Sequence, residues 1–222
     1  MSNPITELGG EIISYLRWGE INPYFTQVTL ALFVIAVIFT FFTLVKPEKQ
    51  VQPIFGADQN FKRGITDKNL RIRRYMAVVC GIATAWGVIT GDFYNYILSI
   101  SLIGITNIGI VAASKGRHVL NAAFQYGLMI MLSSIPLFGS AGILLGSTGT
   151  LSIHELTYIS VRGIAPMLFL IGVAGEIGIA PVYATKAELF RSPGAPYIIM
   201  IHVSSLLILV RTVEIALILT GG

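Results

Sequence analysis

From Tyr24 to Val45 the chain carries no charged residue, and the run closes at Lys46-Pro47. A helix rises about 1.5 Å per residue and the hydrocarbon layer is about 30 Å thick, so such a stretch is long enough to cross a bilayer. Lipid offers the main chain no hydrogen bonds, which makes the crossing segment a helix. The same reasoning applied onward gives about six spans. The apolar stretch from Tyr75 to Ala113 is about twice the needed length, and Thr90-Gly91-Asp92 in its middle reads as a tight hairpin between spans at 75–91 and 93–113. Further spans are predicted at 119–138, 153–182 and 197–220. The fifth opens on a capping-box pattern, Ser152-Ile-His-Glu155, and ends near Pro181. The predicted fold class is therefore an all-α integral membrane protein, one membrane domain over 1–222, with a long basic loop at 46–74.

Composition bears on the surroundings. Of the residues 54% are hydrophobic and 12% charged, about half the charged share of a soluble domain, whose whole surface faces water. Residues 1–22 differ from the spans. Ile5, Leu8, Ile12, Ile13 and Leu16 recur at helical spacing, with Glu7, Glu11 and Arg17 mostly between them. This predicts an amphipathic helix lying in the interface or against a partner. No basic start followed by an apolar core and a cleavage site marks a removable signal peptide. Glycines number 23, many inside the spans, and small residues favour helix packing over lipid contact. The single cysteine, Cys80, excludes an internal disulfide or a four-cysteine metal site, and it is expected as a small buried residue.

Orientation follows from Lys and Arg in the loops. Eight of the fifteen lie between Lys46 and Arg74, and Lys115, Arg117, Lys186 and Arg191 fall in two further loops on the same side. That side is expected to be the cytoplasm of a cell membrane, with both termini outside. The net charge of +4 thus follows from topology, and no nucleic-acid partner is needed to explain it.

The informative residues are the charges left inside hydrocarbon, since each costs on the order of 2.5–3.5 kcal/mol near the bilayer centre and so faces protein or water. They are Arg162 and Glu176 in the fifth span and His202, Arg211 and Glu214 in the sixth, with Asp92 at the hairpin tip. If Pro181 and Tyr197 mark the cytoplasmic boundary, Glu176 and His202 both lie about 8 Å in, and they are expected to pair. Arg211, Glu214 and Arg162 lie about 21, 26 and 28 Å in, forming with Glu155 a second layer that suits an ion-pair cluster. Glu176 and His202 can both titrate, and with Asp92 they are the candidate ion path. The alternative for Glu176 is a fixed hydrogen bond to a neighbouring helix. Gly172, Gly175 and Gly178 leave a smooth stripe for a helix or a file of water beside it, and Pro166 and Pro181 free carbonyls in the same segment. Asn107 and Gln125 read as interhelical hydrogen-bond groups.

The chain has no His-Glu-x-x-His, Gly-x-Ser-x-Gly, phosphate-loop or paired Cys-x-x-Cys motif, so no catalytic, cofactor or metal site is expected within it. Three stretches, Gly91-Asp-Phe-Tyr-Asn-Tyr-Ile97, Ile103-Gly-Ile-Thr-Asn-Ile-Gly-Ile-Val-Ala-Ala113 and Gly175-Glu-Ile-Gly-Ile-Ala-Pro-Val-Tyr-Ala-Thr-Lys-Ala-Glu-Leu-Phe-Arg-Ser-Pro-Gly194, carry a resemblance over nearly the full length. The chain resembles the G-type membrane subunit of archaeal energy-converting hydrogenase A. The resemblance implies a multi-subunit, complex I-like membrane assembly of methanogens that uses sodium or proton flow to drive hydrogen-dependent reduction of ferredoxin. It implies other membrane subunits and a peripheral hydrogenase arm as partners, with nickel-iron and iron-sulfur centres held there. This chain would be a non-catalytic part of the membrane arm, conducting the ion or scaffolding its path. It departs from the large antiporter-like subunits, which have more spans and intramembrane lysines, because every lysine here falls in a predicted loop. A subunit of a sodium-pumping methyltransferase and a stand-alone small transporter are the readings from other classes.

Overall fold

A computed structural model of the protein describes residues 14–15, 23–45, 67–113, 117–159, 161, 163–178, 186 and 197–221. Among the described residues, seven helices follow a short pair of strands. They are α1 (Gln27–Val45), α2 (Asp67–Ile89), α3 (Phe93–Ala112), α4 (Arg117–Thr148), α5 (Ile153–Leu156), α6 (Ala165–Ile177) and α7 (Tyr197–Thr220). Five of them, α1 to α4 and α7, are long and apolar enough to cross a membrane. The protein is an all-helical integral membrane protein, as its apolar runs require.

Outward faces carry large apolar side chains such as Ile35, Phe41, Phe124, Ile135 and Leu206, which suit lipid or neighbouring helices. α1 buries only a narrow line, Thr29, Leu32, Ala36 and Thr43. It lies close against α2, because a Cβ added to Gly81 would stand 2.0 Å from Thr40 Oγ1. The core between α2, α3, α4, α6 and α7 is built on aromatic rings, with Phe93 and Phe169 centroids 5.0 Å apart. At the end that carries the α2–α3 hairpin, main-chain bonds tie three connections together. Phe93 N donates to Leu151 O and Ile153 N to Gly91 O, both at 2.8 Å, and Pro23 bridges Thr90.

Several boundaries differ from the sequence reading. α2 begins at Asp67 rather than 75, so Arg71, Arg73 and Arg74 are helical instead of lying in the loop. Arg73 is fully buried, 5.8 Å over the Tyr197 ring. α4 continues ten residues past 138 through Pro136 and the glycines beyond it, because a lipid-embedded backbone keeps its hydrogen bonds wherever geometry allows. The fifth span is not one helix. The chain between α5 and α6 turns at Gly163 (φ 117°), and α6 stops at Gly178 (φ 77°), conformations that an L side chain rarely adopts. No capping box forms: Ser152 makes no side-chain cap bond, and Glu155 instead accepts from Thr150 Oγ1. Of the predicted interfacial helix at 1–22, Ser14–Tyr15 is a strand paired with Tyr24–Phe25. The remainder, like most of the 46–74 loop, lies outside the described residues.

Candidate functional site

α6 has 13 residues and a length of about 20 Å, two-thirds of a bilayer crossing. It enters beside the hairpin end with Pro166 in its first turn, where a missing N–H costs nothing, and ends part way through the bundle. Its last turn lies against α4. A Cβ on Gly175 would come 1.9 Å from Ser133 Oγ, and one on Gly172 would come 2.5 Å from Leu137 Cγ. The glycine stripe is therefore occupied by a helix. That close approach sets Glu176 opposite Gly104, near the middle of α3, where a Cβ would lie 2.8 Å from Glu176 Oε2. Glu176 thus stands at mid-bundle, deeper than the 8 Å its sequence position suggested, because the helix carrying it ends early.

A helix end inside a membrane exposes carbonyls that water cannot reach. Here Gly178 N donates to Ala174 O at 3.1 Å, Tyr126 OH to Glu176 O at 3.4 Å, and Lys186 Nζ to Ile177 O at 2.5 Å. Lys186 also donates to Ser205 Oγ at 2.7 Å. The side chain is 4% exposed, and its stem packs against Gly178, where a Cβ would meet Cδ at 2.5 Å. This corrects the reading of Lys186 as a solvated loop charge. A cation at the negative end of a helix dipole is electrostatically favoured, and a break at Gly178 needs a donor just downstream. That requirement is the signal in the sequence that could have found Lys186.

Glu176 is 4% exposed, and among the described residues neither carboxylate oxygen has a hydrogen-bond partner. Both are buried against a small cavity whose wall includes Gly104, Asn107, Tyr126, Ser204 and Ser205. The charge that acts on Glu176 is the Lys186 ammonium. His202, the expected partner, is exposed on another face of α7, so the structure does not form the Glu176–His202 pair. The physical reason is twofold: α6 ends early, and His202 points about 100° around α7 from the buried Ile201. The polar wall continues into α2, where Cys80 donates to Asn107 Oδ1 at 3.6 Å and lies 3.2 Å from Ser204 Oγ, whose hydroxyl can donate to the sulfur.

The second layer forms in part. Arg211, fully buried, donates to Glu214 Oε2 at 2.5 Å and to Thr90 O at 3.1 Å, and lies 5.4 Å over the Tyr24 ring. Glu155 is exposed and bonded to Thr150, and Arg162 lies outside the described residues. Asp92 is the N-cap of α3, accepting from Asn95 N at 2.9 Å. Thr90 O and Tyr24 were not expected as partners of Arg211, since main-chain carbonyls and aromatic faces carry no mark of partnership in sequence. Among the described residues no three His, Cys, Asp or Glu side chains stand close enough to hold a metal ion.

A family model described as NADH dehydrogenase I, subunit N related protein, matches residues 5–219. An uncharacterised protein of Methanocaldococcus jannaschii is 49% identical over 215 residues, 96% of this chain and 99% of the relative. Another uncharacterised protein of that organism is 28% identical over 115 residues, 48% of this chain and 24% of its own length. A chain of respiratory complex I from Thermus thermophilus, with bound aureothin, has a similar fold at TM-score 0.64 and 14% identity. That match covers 94% of this chain and 44% of the complex I chain, so the chain spans under half the length of its structural counterpart.

Proposed function

Because this chain belongs to the family of proteins related to subunit N of NADH dehydrogenase I, we propose that it is a non-catalytic membrane-arm component of a multi-subunit energy-converting complex. In this reading Glu176 and Lys186 are the groups through which an ion passes. One observation carries it: a mid-bundle carboxylate with neither oxygen bonded, beside a polar cavity and acted on by a buried ammonium at the end of a broken helix. Intramembrane ionisable groups at such breaks cost too much to be incidental. A carboxylate and an amine can each release and regain a proton, which a hydroxyl or amide wall cannot do near neutral pH.

The specific assembly we propose is the energy-converting hydrogenase of the sequence resemblance, with this chain as its G-type membrane component. Its turnover couples sodium or proton flow to hydrogen-dependent ferredoxin reduction, and its nickel-iron and iron-sulfur centres belong to a peripheral arm. The basic 46–74 segment then faces the cytoplasm. A scaffolding role is the second reading, favoured by the way Lys186 caps α6 and Arg211 ties Glu214 to Thr90.

The test is hydrogen-driven ferredoxin reduction by the intact complex in sealed vesicles. We expect Glu176→Gln and Lys186→Met to lower ion-coupled turnover at least tenfold, with the complex still assembled. Unchanged ion coupling in Glu176→Gln excludes the relay, and loss of assembly in Arg211→Leu alone is the mark of the scaffold.

A further inference from the structure

The surroundings of Glu176 lack something a buried carboxyl requires. A buried polar oxygen without a hydrogen bond is costly, more so if charged, and native interiors rarely leave one. Here two such oxygens belong to one side chain. The cavity beside them, with Gly104 in its wall, has space on the order of one water molecule. Its wall offers polar groups at the right positions. Asn107, one turn along α3 from Gly104, accepts the Cys80 S–H on its carbonyl oxygen, and of the two donors of its NH2 one is directed at Tyr126 OH and the other remains to offer. Ser204 Oγ, whose proton is directed at Cys80 Sγ, adds an acceptor from α7. An apolar cavity of this size stays dry, whereas one with two to four polar neighbours holds water.

We infer that the cavity is a binding site for a single water molecule, held by Asn107 and Ser204 and donating a hydrogen bond to the Glu176 carboxylate. A metal cation fits the site less well, because the Lys186 ammonium already acts on the same carboxylate, and two of the wall's oxygens, Asn107 Oδ1 and Ser205 Oγ, already accept from Cys80 and Lys186, leaving few to complete a coordination shell. Asn107 is then a positioning residue acting through the water. The water's role in moving a proton to or from Glu176 rests on the relay reading above; its presence does not.

Infrared difference spectroscopy on the intact complex, taken across protonation of Glu176, tests this. A water O–H band that shifts in H218O is expected in the wild type and is lost in Glu176→Gln and Asn107→Leu. In Asn107→Leu the Glu176 carbonyl band moves to higher frequency, as for a carboxyl that has lost a hydrogen bond. Gly104→Ala, whose methyl would stand 2.8 Å from Glu176 Oε2 and so pushes the carboxylate off the water, gives the same two changes and serves if Asn107→Leu does not assemble. No H218O-sensitive band, or one that survives in both variants, overturns the inference. So does a Glu176 band that moves with added sodium at fixed pH, which assigns the cavity to a metal cation. If the water band behaves as expected while Glu176→Gln keeps full ion coupling, the relay reading fails and the water site stands.

Discussion

Gly104 is the residue where a single methyl group tells most. Its missing side chain is what lets Glu176 Oε2 and Ile130 Cδ1 approach, at 2.8 and 2.9 Å from where a Cβ would be. Gly104→Ala keeps every charge and gains helix propensity of about 1 kcal/mol, so the α3 helix itself does not suffer. We expect it nevertheless to cut ion-coupled turnover about tenfold with normal assembly, measured beside Glu176→Gln in the same vesicles. Glu176 was legible in the sequence because an acid among Gly, Ala, Ile and Val has no solvent to account for it. Lys186 was not. Counting loop charges treats each lysine as solvated, and only the early stop of α6 turns this one inward to Ile177 O and Ser205. His202 was misjudged by the same step, since level positions on two helices do not specify facing sides.

At the scale of the element, α6 and α4 show how spacing and contact diverge. The glycines at 172 and 175 were read as room for a helix or for water. The room is filled by Ser133 and Leu137 of α4, so tightly that a Gly175 Cβ would fall 1.9 Å from Ser133 Oγ. Gly175→Ala is therefore expected to destabilise the protein by about 1–3 kcal/mol, the usual range for overpacking. Adding Ser133→Ala should recover part of the loss, because the nearest clash is with the hydroxyl while the Ser133 Cβ remains 2.8 Å away. Thermal unfolding in detergent of both singles and the double reads this as a non-additive cycle, and additive effects would show that the two residues do not meet. Helix existence was legible at all five long helices, since hydrophobic length is a property of sequence. Helix ends were not: α4 runs past 138, where its end was expected, to Thr148, and the span predicted at 153–182 breaks at Gly163 and Gly178. Positive φ at a glycine is a choice made by tertiary packing, since glycine is equally content in a helix of lipid-facing residues.

Across the whole molecule, Arg211 joins three parts at the hairpin end: the α2 terminus through Thr90 O, the segment before α1 through Tyr24, and α7 through Glu214. Removing one member of such a buried pair strands the other. Arg211→Leu is expected to cost about 3–5 kcal/mol, whereas the Arg211→Leu, Glu214→Leu double is expected to be far milder, as read from thermal stability of the purified protein. Equal losses would mean that the arginine acts through Thr90 and Tyr24 alone. Orientation is testable at the same scale. With buried Cys80 inert, Gln50→Cys should react with an impermeant maleimide only from the cytoplasmic side; labelling from outside would invert the topology proposed here.

Sequence alone determined that this chain lives in a bilayer, where its long helices run, that α2 and α3 form a hairpin, and that Glu176, Arg211 and Glu214 are buried charges needing partners. Those conclusions rest on transfer free energies and the rise of a helix, which depend on residue type and order. Tertiary structure decided which groups answer those charges: Lys186 and a small cavity for Glu176, Thr90 O and the Tyr24 ring beside Glu214 for Arg211. Hydropathy is blind to rotation about a helix axis and to where a buried helix stops. Those two variables place one side chain opposite another, and they are set by the close packing of glycine faces between helices.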